Sequence, residues 1–144
     1  MRTAVEALWQ ATVGSSQLLR FVIVGGIGFL VDAGVVSLLV AVTDLGLYWS
    51  RLLSFLCAAT ATWALNRNFT FRGQGSVNRV REWGAFLAVS IGGAAINYGV
   101  YVLTIEAWPL ARHFPALAVA FGSLAGMVFN FPASKYLVFR RPKA

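Results

Sequence analysis

Residues 21–40 read FVIVGGIGFLVDAGVVSLLV, an apolar run long enough to cross a bilayer at 1.5 Å per residue, with a carboxylate, Asp32, near its middle. An ionised Asp at that depth costs at least about 2.5 kcal/mol on insertion scales, so it is expected to face a bundle interior or a wet cavity. Two readings follow. In one, Asp32 is protonated and bonded to Asn97 or to a backbone carbonyl; in the other it lines a polar pathway.

Working outward, three more segments of similar length and apolarity occur. The four predicted spans lie near 21–42, 52–71, 85–105 and 116–138. Over the 144 residues, 58% are apolar and only 12% charged, a balance that excludes an ordinary soluble domain. Residues 1–20, with Arg2, Glu6 and Arg20 around a mild apolar pattern, lack the short apolar region and small-residue site of a signal peptide. They are expected to form a short amphipathic cytoplasmic or interfacial segment ahead of a membrane domain over 21–141.

The net charge of +7 gains meaning from its placement. Arg2, Arg20, Arg67, Arg72, Arg79, Arg81, Lys135, Arg140, Arg141 and Lys143 fall on one side of the predicted spans, and only Arg51 and Arg112 on the other. The positive-inside rule then puts both termini and the middle loop in the cytoplasm, and the charge is membrane anchoring rather than a nucleic-acid footprint. Tyr48, Trp49 and Trp108 are expected at the outer interface, with Phe69, Phe71, Trp83, Tyr136 and Phe139 at the inner one. Asp44 and Glu106 read as outer loop charges and His113 as a solvated loop residue. Cys57, the single cysteine, reads as core and forms no intrachain disulfide.

The chain is self-similar. Shifted by 65 positions, the first span pairs Phe21 with Phe86, Gly28 with Gly93, Asp32 with Asn97 and Gly34 with Gly99. Shifted by 68, the end of the second pairs Asn66 with Ser134, Arg67 with Lys135, Phe71 with Phe139 and Arg72 with Arg140. Each half starts inside, crosses twice and returns, so the expected fold is an all-α integral membrane bundle of two parallel two-helix repeats. Gly25, Gly28 and Asp32 are expected to share one face, and Ser90, Gly93, Asn97 and Tyr101 the matching one. Rows stepping by four follow in the other two spans: Ser54, Ala58, Thr62 and Asn66, then Gly122, Gly126, Asn130 and Ser134. The glycines suit close helix packing, Gly122-x-x-x-Gly126 above all. With no βαβ unit around it, Gly25-Gly26-x-Gly28 is no dinucleotide fingerprint.

Arg20, Phe21, Val24, Gly25, Gly28, Phe29 and Asp32, together with Asn66, Arg67, Phe69 and Phe71, resemble the opening and ending motifs of the GtrA-like family; Asn130, Phe131, Ser134, Lys135 and Phe139 resemble its second ending. The resemblance covers about residues 17 to 141, departing from the family at Thr62-Trp63 and at Pro132. It implies translocation of a polyprenyl-phosphate-linked sugar across the cytoplasmic membrane for cell-surface polysaccharide glycosylation, or assistance to that step. Arg67 and Lys135 would hold the phosphate at the cytoplasmic ends of their spans. Asp32 and Asn97 would exchange hydrogen bonds with sugar hydroxyls, and Asn66, Asn130 and Ser134 complete the candidate substrate-binding set.

The expected partners are the lipid-linked sugar, membrane lipids and further copies of the chain. A membrane glycosyltransferase is the partner of the alternative reading, an accessory subunit. A small proton-coupled exporter is the other rival, and the ten-to-two charge bias argues against the dual insertion it would need. No nucleophile with a base, no metal-ligand cluster and no paired carboxylates share a face, so neither an enzyme nor a resident cofactor or metal is expected.

Overall fold

Apolar runs interrupted at residues 43–45 and 71–78 dictate helices joined by short turns, and a computed structural model shows them. It describes residues 2–140, with side chains from residue 14 onward. Helix α1 spans Arg2–Val42, α2 Gly46–Leu65, α3 Arg79–Ala107, α4 Pro109–His113 and α5 Pro115–Ala133. Helices α2 and α5 each run on into five residues of wider π-helix, π1 (Asn66–Thr70) and π2 (Ser134–Val138). Two compact units result, Met1–Gly75 and Ser76–Ala144.

In the first unit α1 packs against α2 and π1. Gly46, with φ of 75°, takes the left-handed conformation that opens α2 directly after α1 ends. The face of α1 turned to α2 carries Gln17, Val24 and Gly28, all buried, and the half-buried Phe21 and Asp32. From α2 come Ser50, Ser54, Ala58 and Ala59. A side chain at Gly28 would overlap the methyl of Thr62, so the helices approach as closely as a glycine allows. Nothing lies within 4 Å of where a side chain at Gly25 would begin. The expected face of Gly25, Gly28 and Asp32 is therefore corrected: the packing row is Val24, Gly28 and Asp32, spaced by four, and Gly25 points away.

In the second unit α3 packs against α5 and π2. Asn78 caps α3, its Oδ1 accepting from the Arg81 N–H at 3.1 Å. One turn in, the buried Glu82 accepts from the backbone N–H of Ser76 and lies at the positive end of the helix dipole. Pro109 and Pro115 each occupy the opening of their helices, where a missing N–H is harmless.

Three helical segments are long and apolar enough to cross a membrane: Gly14–Val42, Arg79–Ala107 and Pro115–Val138. Their outward faces are richly apolar, with Phe29, Leu30, Leu103 and Val128 all more than three-fifths exposed. In a bilayer such side chains face lipid while small and polar residues pack inside. That inversion corrects the reading of Cys57, which is exposed on α2 rather than in the core. The short lead-in helix expected over residues 1–20 is also corrected: α1 runs unbroken from Arg2 into the first span. The amphipathic character expected of residues 1–20 lies, up to residue 13, outside the described side chains, as do Arg141 and Lys143.

Candidate functional site

Asp32 is answered within its own hairpin. Its Oδ2 pairs with the Arg51 guanidinium, and its Oδ1 accepts from Ser54 Oγ at 2.7 Å. Within the hairpin the carboxylate is thus met by a guanidinium and a hydroxyl rather than by a backbone carbonyl. Ser54 is held in turn by the Arg51 carbonyl, 3.0 Å away. Arg51, expected as a simple outer charge, reaches along α2 to a carboxylate that is only 16% exposed while its own side chain is 61% exposed. The other outer cation, Arg112, is also paired, to Glu106 at 2.8 Å.

Asn97 occupies the corresponding place in the second unit and meets a different surface. Its backbone and side-chain oxygens come against Gly122, and its Cβ against Gly126. Where α1 offers a carboxylate to a serine, α3 offers an amide to a glycine. Asn130 likewise packs on Gly93, as Thr62 does on Gly28. Both amides are thus knobs seated in glycine notches. The Asn130 Oδ1 and Ser134 Oγ are buried without a hydrogen-bond partner. Buried polar atoms normally find one, and this pair lies one turn apart on either side of Pro132.

The two π-turns close the hairpins. The Phe71 N–H donates to the Asn66 carbonyl at 2.7 Å, and the Phe139 N–H to the Ser134 carbonyl at 2.8 Å, each spanning five residues. Both phenylalanines are fully buried, Phe71 at 6.2 Å from the Phe21 ring and Phe139 at 6.0 Å from Phe86. Asn66 is 2% exposed and accepts from Thr70 Oγ1 at 2.7 Å, so it ties π1 together. Arg20 donates to the Phe69 carbonyl at 3.3 Å and lies 5.1 Å from that ring. π-Helical turns are rare and often mark functional positions, because the extra residue frees a carbonyl and re-aims the side chains that follow.

Each π-turn carries one basic residue at its second position. The Arg67 guanidinium lies over Gly75, its Nη1 2.6 Å from where a side chain at that glycine would begin. Lys135 Nζ lies 5.8 Å from the Phe131 ring and 5.6 Å from Tyr136. Of the seven expected site residues, Asn66, Arg67 and Asp32 thus belong to the first unit, and Asn97, Asn130, Ser134 and Lys135 to the second. Asn130, Ser134 and Lys135 come together at the end of α5, whereas Asp32 lies far along α1 from π1. Sequence reasoning missed Arg51, Ser50 and Glu82. For Arg51 a signal existed: an acid inside a span needs a cation, and Arg51 is the first one after the turn.

The helices define a multi-pass membrane protein built from helical hairpins. The family model "GtrA/DPMS, transmembrane domain" matches residues 20–141, and the chain belongs to that family. Membership links it to the handling of polyprenyl-phosphate sugars at a membrane. No solved structure matches it.

Proposed function

We propose that this protein moves a polyprenyl-phosphate-linked monosaccharide across the cytoplasmic membrane, acting as a carrier rather than an enzyme. The observation that carries the reading is the pair of basic π-turns, Arg67 in π1 and Lys135 in π2, in a chain whose family handles such lipids. The isoprenoid tail is at home in hydrocarbon; the phosphodiester and the sugar need polar company. A guanidinium or ammonium at a helix end draws the phosphate, and hydroxyl and amide groups such as Asn130 and Ser134, with their unpartnered oxygens, suit sugar hydroxyls.

Helix α2 completes a fourth span in this reading. Its 20 residues reach about 30 Å, and its one charge, Arg51, is offset by Asp32. The two hairpins then act as parallel repeats with their π-turns cytoplasmic, and copies of the chain associate through the small-residue faces.

The test is reconstitution into vesicles with a fluorescent polyprenyl-phosphate glucose, following its appearance in the opposite leaflet. Accelerated transfer is expected, lost in a folded Arg67→Ala/Lys135→Ala double variant. Transfer no faster than in protein-free vesicles would overturn the carrier reading. Stimulation of a co-reconstituted polyprenyl-phosphate glycosyltransferase, without transfer, would favour the accessory role.

A further inference from the structure

The Asp32–Arg51 pair differs from an ordinary buried salt bridge in one respect: its two halves are unequally committed. Asp32 is enclosed and doubly bonded, by Arg51 and Ser54. The Arg51 side chain is mostly exposed and, among the described residues, the only polar partner of its guanidinium is Asp32, met through Nη1. A guanidinium has five N–H donors in a planar fork. The remainder of the fork is therefore exposed, on a helix whose outward side chains beside it, Leu47, Trp49 and Leu52, are apolar. Ser50, the residue before it, is fully buried with an unpartnered Oγ, a second polar atom that the hairpin alone does not satisfy.

We propose that Arg51 is a second binding station for a phosphodiester anion, at the hairpin-turn end of the first unit, and that Asp32 is its exchangeable counter-ion. This rests on the carrier reading and deepens it. Arg51 and Arg67 lie 16 positions apart on α2 and its continuation, a rise of about 24 Å, so one helix would carry a cation near each face of the membrane. A bare guanidinium facing apolar surroundings would hold a phosphodiester too well to release it. A neighbouring carboxylate, fixed by Ser54, competes for the same fork and returns Arg51 to a neutral pair once the anion leaves. In the second unit Asn97 takes the place of Asp32 and meets Gly122, and the ion pair there, Arg112 with Glu106, joins two exposed side chains rather than an exposed cation and an enclosed carboxylate.

The experiment is a binding titration of the purified full chain in a phosphate-free maltoside detergent, with a short-chain polyprenyl-phosphate glucose and, separately, phosphatidylglycerol. Asp32→Asn is expected to tighten binding by roughly fivefold, because the competitor is gone while the cation stays. Arg51→Gln should weaken it by about as much, and Arg51→Lys should fall between, keeping the charge but not the fork. Melting temperatures identify unfolded variants, and Asp32→Asn/Arg51→Gln keeps the hairpin neutral should a single change not fold. In that double variant, binding at the Arg51→Gln level supports the station, and restoration to wild-type binding would overturn it.

Weaker binding in a folded Asp32→Asn protein would also overturn the proposal and return Asp32 to direct sugar contact. Tighter binding of the glucose lipid alone identifies the lipid-linked sugar as the ligand. If the wild type ignores the glucose lipid while phosphatidylglycerol follows the same Asp32 and Arg51 pattern, the carrier reading fails and the anion station stands. If neither lipid binds, both fail.

Discussion

Gly122→Ala places a single methyl group at the tightest backbone approach in the second unit. The added carbon would sit 2.5 Å from the Asn97 carbonyl oxygen and 2.7 Å from its side-chain oxygen. Ordinary contact begins near 3.4 Å, so about 0.9 Å of separation must be found. A side chain could rotate away, but the carbonyl belongs to the backbone of α3 and cannot. The helices must part or slide, pulling Asn97 out of the notch it shares with Gly126. Overpacking of this kind costs about 1–3 kcal/mol. In a domain of this size each kcal/mol corresponds to roughly 2–8 °C in Tm. The control is Gly25→Ala, where nothing lies within 4 Å and the change should raise helix stability by up to about 1 kcal/mol. Thermal unfolding followed by intrinsic tryptophan fluorescence, on proteins purified in one detergent, measures both. A Gly122→Ala protein melting with the wild type, or below it no further than Gly25→Ala, would refute close packing of α3 on α5.

Three further outcomes are expected. Asn78→Ala should lower stability by about 1 kcal/mol through loss of the cap on α3, read in the same melts. With Cys57→Ala as background, cysteines at Val77 and His113, both exposed, should be labelled from opposite sides of intact cells or inverted vesicles; labelling of both from one side would contradict the proposed topology. Native mass spectrometry from nanodiscs should give an oligomer, and a strictly monomeric species would count against association through the small-residue faces.

Much of the architecture was legible because a bilayer demands long apolar helices, and periodicity shows which residues share a face. The rows Ser54, Ala58, Thr62, Asn66 and Gly122, Gly126, Asn130, Ser134 do lie toward their partner helices. The offset of 68 recurs as well: Asn66 opens π1 and Ser134 opens π2. The partner of Asp32 was not legible, because sequence gives the depth of a charge but not the rotation of the facing helix or the reach of an arginine. Cys57 was misplaced by treating an apolar side chain as interior, a soluble-protein habit that a lipid solvent reverses, and Gly25 because the packing row steps by four through Val24, Gly28 and Asp32 and so passes it by. The π-turns were not legible, since helical periodicity continues through them and only the bonds from Phe71 to Asn66 and from Phe139 to Ser134 set them apart from the helices they extend.

Helix α1 is one unbroken rod of 41 residues, about 61 Å long, roughly twice the hydrocarbon thickness of a bilayer. Asp32 lies 30 positions from Arg2, so the arm on that side of the ion pair is about 45 Å. Such a rod is a lever. A tilt of about 10° pivoting near Asp32 would swing the Arg2 end through about 8 Å, and conversely a load applied at that end would be felt as torque where the carboxylate meets the guanidinium. A protein that grips the beginning of this chain would thereby hold a mechanical handle on that ion pair.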